Sequence, residues 1–165
     1  MKTGKTEKTE KTNVMRLLDA AGIPYRSMEY PVDENDLSGV HVAAVLGQDV
    51  DTVFKTLVLK GEKTGYLVCC IPVAEELDLK KAARAAGDKK VEMIPMKDLL
   101  AVTGYIRGGC SPLAGKRHYP VFVDESAILH ERIYVSAGHR GVQLRLAPDD
   151  LLRAVEGTYA AIARY

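Results

Sequence analysis

Residues 53–60 read VFKTLVLK, a run of β-branched and large apolar residues with one ammonium group set into it. Side chains alternate faces along a strand, so Lys55 points with Val53, Leu57 and Leu59, while Phe54, Thr56 and Val58 point the other way. Neither face is polar enough to be a plain solvent face, and lysines are rarely buried without a partner. Two readings follow. Lys55 lies at a strand end and runs its four-carbon stem along apolar surface into water. Alternatively, its stem is packed and the ammonium opens into a pocket, where it would meet an anion or a polarised carbonyl. A second stretch, IRGGCSPLAGKRH (106–118), also bends local rules. Gly108 and Gly109 let the backbone approach a ligand closely and aim N–H groups at it. The same pair equally suits a turn between a helix and a strand.

Other chemistries fall away on spacing. A serine-hydrolase elbow around Ser111 needs glycine two residues on, where Leu113 stands, so Ser111 is left as a hydrogen-bond donor. His41, His118, His130 and His139 have no metal-ligand spacing, and no metal or cofactor is expected. The Gly-Lys-Thr at 4–6 lacks the upstream strand and glycine of a phosphate loop. Cys69 and Cys70 are adjacent and should face opposite ways. With Cys110 they make an odd count, which disfavours a disulfide framework and fits a reduced, cytoplasmic protein. Two basic clusters flank the functional stretches: Lys80, Lys81 and Arg84, then Arg107, Lys116 and Arg117. They are either solvated charge or a track for a phosphate backbone.

The elements that must position these groups are legible from caps and periodicity. Residues 1–12 are a Lys/Thr/Glu tract without apolar periodicity, expected to be a disordered tail. Asn13 caps a helix that Gly22 ends; Ser38 caps a second, to Gly47; Asp78 caps a third, to Gly87. Pro95 opens a fourth, MKDLLAVT, that Gly104 stops. VFKTLVLK, GEKTG and YLVCCIPV read as a β-hairpin. IPYRSMEY, KVEMI, VFVDES, ERIYVSAG and VQLRLAP supply the other strands, and Asp149 and Asp150 start a last helix. About seven strands are interspersed with these helices without regular βαβ alternation, hence a mixed domain with much antiparallel pairing. A chain of 165 residues with 47% hydrophobic and 27% charged residues can bury one full core, and its net charge of +1 does not by itself mark a nucleic-acid binder. No apolar run is long enough for a membrane span.

FKTLVL (54–59), LKKAARAAGDKKVEM (79–93), TGYIRGGCSPLAGKR (103–117) and IYVSAGHRGVQLRLAPDDL (133–151) together resemble the YbaK/EbsC family of Cys-tRNA(Pro) deacylases, relatives of the editing domain of prolyl-tRNA synthetase. The resemblance runs from about residue 14 to 160. It implies an α+β domain over 13–165, with a curved, mixed, mostly antiparallel sheet and flanking helices. It implies hydrolysis of the ester between a mischarged amino acid and the 3′ adenosine of tRNA, with substrate assistance and transient recruitment by prolyl-tRNA synthetase. On this resemblance Lys55 is the essential lysine, and Gly108 and Gly109 offer N–H groups to the scissile carbonyl. Tyr30 corresponds to the tyrosine that closes the family's first strand near the substrate, and Asp150 lies in the family's AP-x-D segment, where it either binds substrate or caps the last helix. Ser38 stands where Cys-specific members tend to carry a bulky aromatic residue, and Cys110 replaces an aliphatic one, so both bear on which amino acid is removed. The alternatives are a deacylase for Ala-tRNA(Pro) or another mischarged tRNA, a tRNA-binding module without catalysis, and a hydrolase of small esters.

Overall fold

The computed structural model describes residues 11–113 and 117–165. The tail expected over 1–12 therefore lies mostly outside the described residues, as does Lys116. Helix α1 (Asn13–Ala21) is capped by Thr12, whose side chain accepts from the Met15 amide, rather than by Asn13. Thr12 is itself buried, so Lys11 and Thr12 belong to the folded part. Strand β1 (Arg26–Glu29) leads to α2 (Gly39–Leu46), capped by Ser38 and closed by Gly47 in the left-handed region. The hairpin follows as β2 (Phe54–Gly61) and β3 (Gly65–Pro72). Then come β4 (Glu76–Leu77), α3 (Leu79–Ala86), β5 (Val91–Met93), α4 (Leu99–Thr103), β6 (Val121–Asp124), β7 (Ile133–Ser136), β8 (Val142–Leu146), α5 (Pro148–Val155), β9 (Thr158–Ala160) and β10 (Ala163–Arg164).

The fold class is the mixed, mostly antiparallel α+β arrangement expected from the sequence, with two departures. Strands β4, β9 and β10 add to the expected seven, and the strands of the described residues divide into three sheets instead of one. These are β9-β6-β3-β2-β5, β1-β8-β7 and the pair β4-β10. Among the described strands, β9 with β6 and β3 with β6 run parallel and the other pairs antiparallel. A bridge between Val53 and Tyr134 ties the first sheet to the second.

Two apolar layers sandwich the hairpin. Phe54, Val68 and Cys70 face one cluster with α1, the inner residues of β7 and β8, and α5. Leu59, Leu67, Cys69 and Ile71 face another, covered by Ala82 and Ala83 of α3. Cys69 and Cys70 thus project to opposite faces, as adjacent strand residues must. The C-terminus is fixed by Asp124, a fully buried carboxylate at the end of β6. It accepts from the amides of Ile162 (3.1 Å) and Ala163 (3.0 Å) and from the Tyr165 hydroxyl (2.6 Å). Among the described residues, no helix is long and apolar enough to cross a membrane.

Candidate active site

The hairpin strand that carries Lys55 is incompletely covered. Strand β3 pairs with β2 along its whole length, from Phe54 to Gly61. On the other edge β5 reaches only Leu59 to Gly61. The half from Phe54 to Leu57 therefore faces a gap between the first and second sheets, spanned at its root by the Val53–Tyr134 bridge. A cleft of about 320 Å³ fills this gap. That volume lies at the small end of ligand sites, which run from about 300 to 1,000 Å³. Its walls are Lys55 and Thr56 of β2, Ser38 and Gly39 at the start of α2, Arg107, Gly108 and Cys110 of the glycine-rich loop, and Ser136 and Gln143 from β7 and β8.

Lys55 resolves in favour of a packed stem with the ammonium opening into a pocket. It is half-buried, and burial holds its pKa below the ordinary value of 10.5, with Glu76 and Glu75 partly opposing that shift at longer range. Among the described residues it has no ion-pair or hydrogen-bond partner. A cation desolvated without a counter-ion is costly to the fold and ready for an anionic or carbonyl ligand.

The glycine pair divides its work. Gly108 lines the cleft and adopts a positive φ of 85°, a conformation that favours glycine. Gly109 does not present its amide as expected: that N–H donates to the Ile106 carbonyl at 3.0 Å, closing a turn. Its smallness serves close packing instead, since a Cβ there would lie 3.2 Å from the Arg140 nitrogen. Among the described residues the Gly108 amide is without a partner, so one N–H of the pair, not two, is free for a ligand.

Cys110 borders the cleft, but burial pushes its thiol up to about 12, so it is a neutral wall at physiological pH and not a thiolate nucleophile. Ser38 also lines the cleft. Its hydroxyl oxygen accepts from the His41 amide at 3.2 Å, which commits it to capping α2. Ser111 is buried outside the cleft and accepts from the Leu113 amide at 3.2 Å, a turn-forming role.

Gln143 was not singled out from the sequence, where VQLRL reads as ordinary alternation. It is 5% exposed, and its Oε1 has no partner among the described residues. An orphaned buried acceptor costs about 1–3 kcal/mol. Gln143 lines the cleft, but its oxygen is enclosed as placed and meets a ligand there only once the side-chain amide turns outward. The opposite residue on β7, Ser136, accepts from the Gly138 amide at 3.2 Å and keeps its O–H to donate.

The cleft thus combines a cation, a free backbone N–H and a buried acceptor, with no nucleophile–base pair. The sequence profile described as the aminoacyl-tRNA editing domain matches residues 37–154, which span every wall of the cleft. The chain belongs to this family. A relative from Enterococcus faecalis, named "Putative Cys-tRNA(Pro)/Cys-tRNA(Cys) deacylase EbsC", is 48% identical over 158 residues, covering 96% of each chain. The fold recurs in a crystal structure titled as that of "a putative trans-editing enzyme for prolyl tRNA synthetase". That protein is 22% identical, with TM-score 0.81, over 94% of this chain and 100% of the other. It recurs also in a hypothetical protein, 22% identical with TM-score 0.83, over 92% and 99%.

Within this editing domain, several residues expected near the substrate lie outside the Lys55 cleft. Tyr30 lines an adjoining cavity rather than the Lys55 cleft. Asp150 sits in the first turn of α5 and pairs with Arg153 at 2.5 Å, a helix-surface arrangement outside the cleft. Lys80, Lys81 and Arg84 ride on α3, which contributes nothing to the cleft wall, and the Lys81 ammonium donates to the Ala163 carbonyl at 3.1 Å. Of the described cations expected to meet phosphate, Arg107 alone reaches the cleft.

Proposed function

We propose that this editing domain is a trans-acting deacylase that removes cysteine from Cys-tRNA(Pro), with Lys55 as its central catalytic group. The observation that carries the proposal is the unpaired, half-buried Lys55 ammonium in a cleft lined also by Gly108 and Gln143. An aminoacyl ester supplies what these groups lack. Its carbonyl oxygen, or the terminal phosphate, would face Lys55 and Gly108, and its α-ammonium would face Gln143. Negative charge that develops on the carbonyl oxygen is then opposed by groups fixed in advance.

The cleft's own thiol is held protonated, so the attacking group comes from the substrate. The cysteinyl sulfur attacks the ester carbonyl, the carbon–oxygen bond to the ribose breaks, and the thiol proton passes to the departing 3′ oxygen, with the neighbouring ribose hydroxyl as relay. The products are tRNA with a free 3′ hydroxyl and a thiolactone that water later opens. Farther out, Arg107 at the cleft mouth and Lys80 and Arg84 on α3 draw the tRNA electrostatically. In this reading the protein works in the cytoplasm, in transient contact with prolyl-tRNA synthetase. No cofactor is needed.

The test is deacylation of Cys-tRNA(Pro), Ala-tRNA(Pro) and Pro-tRNA(Pro) side by side. Rapid loss of cysteine with proline spared is expected. Loss of alanine instead would favour the second reading, a deacylase for Ala-tRNA(Pro), which the placement of Ser38 and Cys110 on the cleft wall keeps in view. Alanine has no thiol to attack, so that outcome would also overturn the substrate-assisted step. Binding of tRNA with no turnover of any ester would make the protein a binding module.

A further inference from the structure

Next to the Lys55 cleft lies a larger and more open cavity, of about 860 Å³, that the aminoacyl ester does not account for. Its wall includes Arg16 of α1, Tyr30 just past β1, and His139 and Arg140 in the turn between β7 and β8. The two spaces share a partition. The Arg140 Nε donates to the Arg107 carbonyl at 2.7 Å, and a Cβ on Gly108 would lie 3.4 Å from the same nitrogen. Arg107 and Gly108 line the cleft; Arg140 lines the cavity.

The charges there are uncompensated. Among the described residues neither Arg16 nor Arg140 lies within ion-pair distance of a carboxylate, and Arg16 meets only the Asn13 side-chain oxygen at 3.0 Å. Lys11 is spent on Asp19. Glu29 is the one carboxylate in the described wall. Two free guanidinium groups and a half-buried tyrosine ring in an open trough fit a flexible polyanion with flat bases, because arginine grips phosphate through paired N–H groups and aromatic rings stack on any base.

We propose that this cavity holds the single-stranded 3′ end of the tRNA just before its terminal adenosine, with phosphates on Arg16 and Arg140 and a base against Tyr30. The inference rests on the deacylase reading for the direction of the strand: the ester enters the cleft, and the preceding nucleotides cross the Gly108–Arg140 partition into the cavity. It gives a role to Tyr30, which lines the cavity and not the Lys55 cleft.

The test uses a 5′-fluorescent five-nucleotide RNA ending in CCA, which carries no ester and so reports binding alone. Anisotropy titrations over a range of salt compare wild type with Arg16→Ala, Arg140→Ala, Tyr30→Ala and, as a distant control, Arg132→Ala. Each arginine variant of the cavity is expected to weaken binding about fivefold or more and to lower the salt slope by about 0.7, the value for one phosphate on a single strand. Tyr30→Ala is expected to weaken binding without changing the slope. Arg16 is exposed on α1, so its variant folds even if Arg140→Ala loosens the turn. Wild-type affinity and slope in Arg16→Ala and Arg140→Ala would overturn the proposal, as would equal weakening by Arg132→Ala. If the RNA binds as described but no aminoacyl-tRNA is deacylated, the catalytic reading fails and this one stands. Full deacylation of Cys-tRNA(Pro) by both arginine variants, with unchanged RNA binding, is the reverse.

Discussion

Replacing Lys55 by methionine separates catalysis from stability. Methionine keeps most of the packed stem and removes the charge, which has no partner among the described residues and is already disfavoured by burial. The structure therefore makes opposite predictions for the two observables. An ammonium about 4 Å from a developing oxyanion, at an effective dielectric near 20, contributes about 4 kcal/mol. At about 1.4 kcal/mol per decade that is close to a thousandfold, and partial exposure of the group brings the expected loss in kcat/KM to about 10²–10³. Stability should be equal to or above wild type at pH 7. The sign follows from linkage. The folded-state pKa is below the unfolded one, so between the two values the unfolded chain binds more protons and wild-type stability rises with pH; methionine should flatten that rise. The assay is single-turnover deacylation of Cys-tRNA(Pro) beside urea unfolding at pH 7 and in the alkaline range. Activity within tenfold of wild type would refute the catalytic assignment. Activity lost together with a matching loss of stability would show that Lys55 is structural.

Gln143→Leu removes the orphaned oxygen and keeps the volume; the fold should be no less stable, while loss of a hydrogen bond to a charged ammonium, about 1.5–3 kcal/mol, should lower kcat/KM about 10- to 100-fold in the same deacylation assay. Gly39→Ala places a Cβ 2.2 Å from the Val73 Cγ1, so α2 or Val73 must move; about 1–3 kcal/mol of stability by urea unfolding and a raised KM are expected. Asp124→Ala strands two buried amides and should destabilise by about 3 kcal/mol or more, read from the urea midpoint at pH 7. Burial alone would raise the Asp124 pKa, but the hydrogen bonds from Ser126, Tyr165, Ile162 and Ala163 outweigh it and hold it low. Its contribution is thus present above about pH 4 and lost as pH falls further; wild type should lose stability in that window more steeply than the alanine variant.

What the sequence could reveal was set by how local each signal is. Ser38 and Asp78 cap their helices, and Gly47 and Gly87 close them, because a cap needs only the next three residues. The hairpin was legible for the same reason. Strands β4, β9 and β10 were not, because two- or three-residue strands carry no periodicity; they exist through partners far along the chain, such as Leu77 opposite Ala163. The site divides the same way. Lys55 and Gly108 stand out locally, as a charge in an apolar strand and as a glycine beside another. Gln143 does not, since a glutamine alternating with Val142 and Leu144 resembles a solvent-facing position. Its burial comes from β1 and β7 on either side and from the approach of β2 across the Val53–Tyr134 bridge. Asp150 is the converse case, an acidic residue in a family motif that also reads as a helix start, and its charge is taken up by Arg153 and the first turn of α5. A residue odd in its own strand nominates itself, whereas a residue made odd by its neighbours is found only once those neighbours are placed. The proposed reaction needs both kinds, because an ammonium from β2 would act on a carbonyl only if something else fixed the substrate that carries it, and Gln143 of β8 is the wall residue proposed for that part.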